Sequence, residues 1–149
     1  MTEKPSLTLK RQMRASPARI YKAWTEPSKL VHWFGPHETE EGSVEAETDV
    51  RVGGAYRIRF KTADDRRHEA SGVYQEVVPN EKLVFTWTWL DTPDEQTQIT
   101  ITLRGEEGGT MLTLTHALLA DEASRASHMT GWTGAIDKLE RFVTRGGGK

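Results

Sequence analysis

The sequence predicts an α+β protein: a curved antiparallel sheet of about seven strands wrapped on one long C-terminal helix, with two short helices after the first strand. Three observations predict it. From residue 41 to residue 116, apolar and polar residues alternate in short runs separated by Gly, Asp, Asn and Pro turn signals. From Asp121 to Arg145 the spacing becomes helical, with Met129, Trp132, Ile136, Leu139 and Val143 on one stripe. Near the N-terminus lie two proline-started segments with apolar residues at helical spacing.

Residues 6–14 (SLTLKRQMR) alternate and predict the first strand. Ser16 is a good N-cap, Pro17 suits the first helical position, and Ile20, Ala23 and Trp24 share a face. Glu26-Pro27 breaks that helix and starts a second, expected from Pro27 to Phe34 and stopped by Gly35-Pro36. EGSVEAETD (41–49) alternates around Val44, Ala46 and Thr48, and Gly53-Gly54 turns the chain. AYRIRFK (55–61) puts Tyr56, Ile58 and Phe60 on one face, and Asp64-Asp65 makes the next turn. HEASGVYQEVV (68–78) is a longer strand whose Gly72 marks a bend or bulge. A one-residue slip there would turn Tyr74 outward.

LVFTWTW (83–89) follows, with Leu83, Phe85, Trp87 and Trp89 on one face and Val84, Thr86 and Thr88 on the other. QTQITITL (96–103) aligns Thr97, Ile99, Ile101 and Leu103, and TMLTLTH (110–116) aligns Leu112, Leu114 and His116. The short turns between these strands predict antiparallel pairing. The last helix would be roughly 37 Å long, enough to cross the sheet.

The length of 149 residues suits a single domain, expected over 1–149 with a frayed GGGK tail at 146–149. The net charge of −2, with scattered Lys and Arg, excludes the basic footprint of a nucleic-acid-binding protein. No apolar run has the length of a membrane span or a secretory signal, so a cytoplasmic protein without membrane contact is expected. Cysteine is absent, which removes disulfides and thiolate chemistry. No His spacing suits a zinc site: His32 and His37 are separated by Gly35-Pro36, and the other histidines are isolated. Gly53-Gly54 lacks the strand, Gly-rich loop and helix context of a phosphate site. Neither a cofactor nor a metal is expected.

Strand parity leaves few polar groups on the inner face: Tyr56, Tyr74 and His116, with His128 just before the helix stripe. Histidine is the natural acid or base at neutral pH. The bland alternative is a half-exposed histidine bonded locally at a strand end or helix start. Arg57, Arg59, Glu45 and Glu47 alternate out of phase and should be solvated. No carboxylate pair and no nucleophile with a base is forced together, so binding is expected ahead of catalysis. Gly131 and Gly134 flank Trp132 inside the helix, where each costs about 1 kcal/mol against alanine. Close approach of a neighbouring segment is the expected reason, a soft point admitting a ligand the alternative.

The stretches AWTEPSKLVHWFGP, DVRVGGAYR, SGVYQEVVPNEKLVFTWTW, GTMLTLTH and TGWTGAIDKLERF, in this order, resemble the C-terminal-domain family of activators of the ninety-kilodalton heat-shock-protein ATPase. That family belongs to the START-like (SRPBCC) superfamily of helix-grip folds, with the birch-pollen allergen, polyketide cyclases and lipid-transfer domains. The resemblance covers nearly the whole chain. It implies a cavity between the helix and the gripping sheet, with Phe85, Trp87 and Trp89 facing Met129, Trp132 and Ile136. The remaining wall would come from Tyr56, Ile58, Phe60 and Tyr74, from Ile99 and Ile101, and from Leu112, Leu114 and His116. Trp33 and Phe34 would gate its mouth. Aromatic walls with few polar groups suit a small-molecule site and a solid core equally.

Three functions are expected from this resemblance and from the inner-face residues. The first is binding of an apolar small molecule. The second is a co-chaperone-like interaction with the heat-shock ATPase. The eukaryotic activators carry a separate N-terminal domain for that work, and this chain is expected to lack room for it. The third is a cyclase- or hydrolase-like enzyme using Tyr74 or His116. Unpaired sheet edges leave a homodimer open.

Overall fold

The computed structural model describes residues 4–145; the expected fraying of residues 146–149 lies outside them. The chain runs β1 (Leu7–Met13), α1 (Pro17–Thr25), α2 (Pro27–Leu30), β2 (Glu45–Thr48), β3 (Ala55–Lys61), β4 (Arg67–Val78), β5 (Lys82–Trp89), β6 (Thr97–Glu106), β7 (Gly109–Ala117) and α3 (Glu122–Thr144). The strands form one antiparallel sheet in the order β1-β7-β6-β5-β4-β3-β2, with β1 and β2 as open edges. Six of the strands lie next to their sequence neighbours because short turns join them; β1 alone crosses over, to pair with β7.

The local chemistry is as the sequence reads. Ser16 accepts from Arg19 N–H at 3.1 Å to cap α1, and Asp121 accepts from Ser124 N–H at 2.8 Å to cap α3. Gly53 takes a left-handed φ of +86° between β2 and β3. The second helix is shorter than expected. It ends at Leu30, and turns carry the chain on to Phe34 before Gly35 at φ +94°. Four helical residues satisfy the need to drive Leu30, Trp33 and Phe34 into the core, and all three are buried.

At Gly72 a Cβ would lie 2.0 Å from the Thr86 carbonyl oxygen, so β5 runs against bare backbone there. The register slip comes later, between Tyr74 and Glu76. Tyr74 therefore stays inward, opposite Phe85, and is buried.

α3 lies across the sheet with Trp132, Ile136, Leu139 and Val143 buried and Met129 half-buried. Its C-terminal half is tied down at several points. Arg11 on β1 bridges Asp137 (2.9 Å) and Glu140 (2.8 Å), Arg19 donates to the Val143 carbonyl (3.1 Å), and His37 meets Asp137 at 3.1 Å. Lys138 donates to the Pro36 carbonyl at 3.0 Å. The N-terminal half has fewer ties, and the candidate site lies beneath it.

Candidate functional site

A cleft of about 630 Å³ opens between the first half of α3 and the β3–β5 end of the sheet. Its aromatic surface comes from Phe34, Phe60, Trp87, Trp89 and Trp132. These rings form one contact network. Trp87 packs against Trp132 (centroids 5.3 Å), Trp89 (5.2 Å, edge to face) and Phe34 (5.8 Å), and Phe34 meets Trp132 edge to face at 5.9 Å. Such pairs add about 0.5–1.5 kcal/mol each beyond area burial, so the floor is held by its own packing.

The opposite wall is a stripe of small residues on α3. Ser127, Gly131 and Ala135 recur every four residues and all face the cleft. A Cβ placed on Gly131 would meet nothing within 4 Å. The helix stands clear of the sheet here because it carries no side chain to fill the gap. Gly134 has a different reason: a Cβ there would lie 2.7 Å from the His37 backbone nitrogen. The sequence showed two glycines in one helix; only the structure separates a packing glycine from an open one.

Two histidines tie the aromatic floor to its surroundings. The Trp132 indole N–H donates to His116 Nδ1 at 3.0 Å. His116 must then carry its proton on Nε2 and donate to Thr97 Oγ1 at 2.7 Å, and Thr97 donates onward to the Trp87 carbonyl at 2.9 Å. Every donor and acceptor along this relay is used. The Trp89 indole N–H donates to His128 Nε2 at 2.9 Å, and His128 Nδ1–H donates to the Ser124 carbonyl at 2.7 Å. The two imidazoles lie 4.8 Å apart, edge to face. Burial first, and then the neighbouring His128, push the His116 imidazole from its ordinary 6.5 down to about 3.

The site residues expected from the sequence divide between two places. Phe34, Phe60, Trp87, Trp89 and Trp132 border the cleft. Tyr56, Ile58, Tyr74, Phe85, Ile99, Ile101, Leu112, Leu114 and Ile136 are buried in the interior away from it, with Met129 half-buried on α3. Trp33, expected as a gate, is 1% exposed, donates to the Ala23 carbonyl at 3.0 Å and packs edge-on to Trp24. Tyr56 donates to the Thr86 carbonyl at 2.6 Å, and burial raises its phenol well above the usual range. Burial likewise raises Tyr74, with Tyr21 and Asp49 adding to it. His116 is fully buried behind the floor, where the sequence allowed a half-exposed strand end.

The polar margin escaped the sequence reading. Glu38 follows α2, Thr62, Asp64 and Arg66 come from the β3–β4 turn, and Leu90, Asp91 and Thr92 come from the β5–β6 turn. Only the small-residue stripe at 127, 131 and 135 had a legible signal, its four-residue period. His68 stacks on Phe60 at 5.0 Å, and its Nε2–H donates to Thr62 Oγ1 at 3.0 Å while Thr62 donates to Asp64.

His116 and His128 have their ring nitrogens engaged within the protein, and neither meets a carboxylate among the described residues. No group of three or more His, Asp or Glu among the described residues is placed to hold a metal ion. No described helix is long and apolar enough to cross a membrane.

Known proteins share this outline. The family described as Activator of Hsp90 ATPase homolog 1-like protein matches residues 14–144. A crystal structure of a Chromobacterium violaceum protein is 28% identical, with 93% of this chain and 96% of that one covered and a TM-score of 0.80. A Rhizobium leguminosarum protein is 26% identical over 95% of each chain, with a TM-score of 0.78. The solution structure of an AHSA1-like protein from Aeromonas hydrophila is 19% identical, with 97% and 96% covered and a TM-score of 0.80, a likeness of fold. No curated protein matches. On a match that runs from the residue after β1 to the end of α3, the chain belongs to the Activator of Hsp90 ATPase homolog 1-like family.

Proposed function

We propose that the protein binds a small, mainly apolar molecule in the cleft beneath the N-terminal half of α3. One observation carries this reading: the 630 Å³ cleft has an aromatic floor and, along Ser127, Gly131 and Ala135, a helix wall of small residues with open space at Gly131. Its size lies within the roughly 300–1,000 Å³ of small-molecule sites, and the polar side chains at its margin are of the kind that orient a ligand. The internal engagement of His116 and His128, with His68 Nε2 held by Thr62, favours binding over acid–base catalysis.

The test is intrinsic tryptophan fluorescence titrated with an environment-sensitive apolar dye, in the native protein and in Gly131→Phe. A phenylalanine at 131 points into the open space and should displace the dye without disturbing the buried core. Saturable binding by the native protein, weakened at least about tenfold in Gly131→Phe, is the expected result. If the folded native protein binds no dye, the reading fails. Pull-down with the ninety-kilodalton chaperone would then test the outer surface.

A further inference from the structure

The cleft is not neutral, and its charges select among the molecules it can take; the nature of the ligand rests on the cleft being the proposed binding site. Its margin carries Glu38 and Asp91, both exposed, and neither forms an ion pair among the described residues. Asp64 adds a third carboxylate, already accepting from Thr62 and from the Arg66 backbone N–H at 3.2 Å. Arg66, the one guanidinium on the margin, lies 3.7 Å from that same Asp64. Glu69 also borders the cleft, but Arg57 and Arg59 flank its carboxylate at 3.7 and 3.8 Å. No lysine among the described residues lines the cleft; nearby Lys138 donates to the Phe34 and Pro36 carbonyls, and its charge is close enough to Glu38 to interact with it. The lining carries four carboxylates, Glu38, Asp64, Glu69 and Asp91, against the one guanidinium of Arg66, so its net charge is negative.

The floor has the same preference. Ring faces carry the negative part of the aromatic quadrupole and attract cations, most strongly on tryptophan. Three tryptophans and two phenylalanines form this surface. Trp87 is 3% exposed, and its indole N–H, itself buried, has no hydrogen-bond partner among the described residues.

We propose that the cleft takes an organic cation. Its aromatic or alicyclic body would lie on the tryptophan floor. Its protonated or quaternary amine would lie towards Glu38 and Asp91. A fatty acid or other anionic amphiphile would meet the wrong sign at the mouth and at the ring faces.

The experiment uses one ring system in three charge states: 2-naphthylmethylammonium, 2-naphthylmethanol and 2-naphthoate, each titrated calorimetrically into the full chain at low salt. The ammonium should bind about tenfold tighter than the alcohol, and the carboxylate weakest. In Glu38→Gln/Asp91→Asn, whose changed side chains are exposed, the preference for the ammonium should fall to within about twofold. Alcohol or carboxylate binding as tightly as the ammonium overturns the cation assignment and leaves the apolar cleft standing. A preference that survives the double variant overturns the role of the rim. No binding of any of the three overturns the cleft as a binding site and the assignment with it.

Discussion

The indole nitrogen of Trp132 lies 3.0 Å from Nδ1 of His116, joining the middle of α3 to the inner face of β7 directly behind the cleft floor. The bond forces the neutral, Nε2-protonated imidazole, because a protonated ring would oppose one donor to another. That single tautomer then sets the direction of every bond through Thr97 to the Trp87 backbone.

His116→Ala should destabilise the protein by about 3 kcal/mol, through the cavity left and the buried Trp132 N–H stripped of its acceptor. Urea unfolding measures this. Trp132→Phe removes the donor, so its cost in the His116→Ala background should be smaller than in the native one. Additive costs in the double variant would mean that the two side chains do not depend on each other.

Acid should weaken the fold through the same imidazole. The unfolded chain takes up a proton near 6.5, but folded His116 does so only near 3. Between those values the unfolded state holds more protons. The contribution is therefore complete above about pH 6.5 and is lost as the pH falls, at up to about 1.4 kcal/mol per unit. His116→Gln should flatten the stability profile between about pH 6 and pH 4. Parallel profiles for the two proteins would show that His116 is not the group responsible.

Two glycines three residues apart should respond with opposite sign. Gly131→Ala should stabilise by about 1 kcal/mol, because the helix gains a better former and the methyl group meets open space. Gly134→Ala should destabilise by at least about 1 kcal/mol, because its Cβ would press on the His37 backbone at 2.7 Å. Thermal unfolding of the two variants decides it, and the reverse ordering would contradict the placement of α3 against the Gly35–His37 loop.

Elements and faces were legible because they rest on local periodicity. The alternation of Phe85, Trp87 and Trp89 and the stripe of Trp132, Ile136 and Leu139 each place their residues on a common face. The second helix was over-read to Phe34 because helical spacing continues through turns that bury the same side chains. Of the residues that line the candidate site, the sequence reading named only those of the floor as bordering the cavity. Phe34, Phe60, Trp87, Trp89 and Trp132 could be named, but periodicity could not separate them from interior residues such as Phe85, Ile101 or Ile136. All of them face inward, and facing inward is all that a period reports.

By itself the sequence determined the α+β layering, the antiparallel pairing and the inward face of each strand, since turns and side-chain periods act over a few residues. The tertiary structure alone decided where the inward face is filled and where it stays open. That depends on the height at which α3 sits, which is set by Arg11, Arg19 and His37 at one end and by Trp89 with His128 at the other. It also decided the charge at the mouth, because Glu38 and Asp91 lie 53 positions apart and come to border one cleft only when the sheet curls beneath the helix.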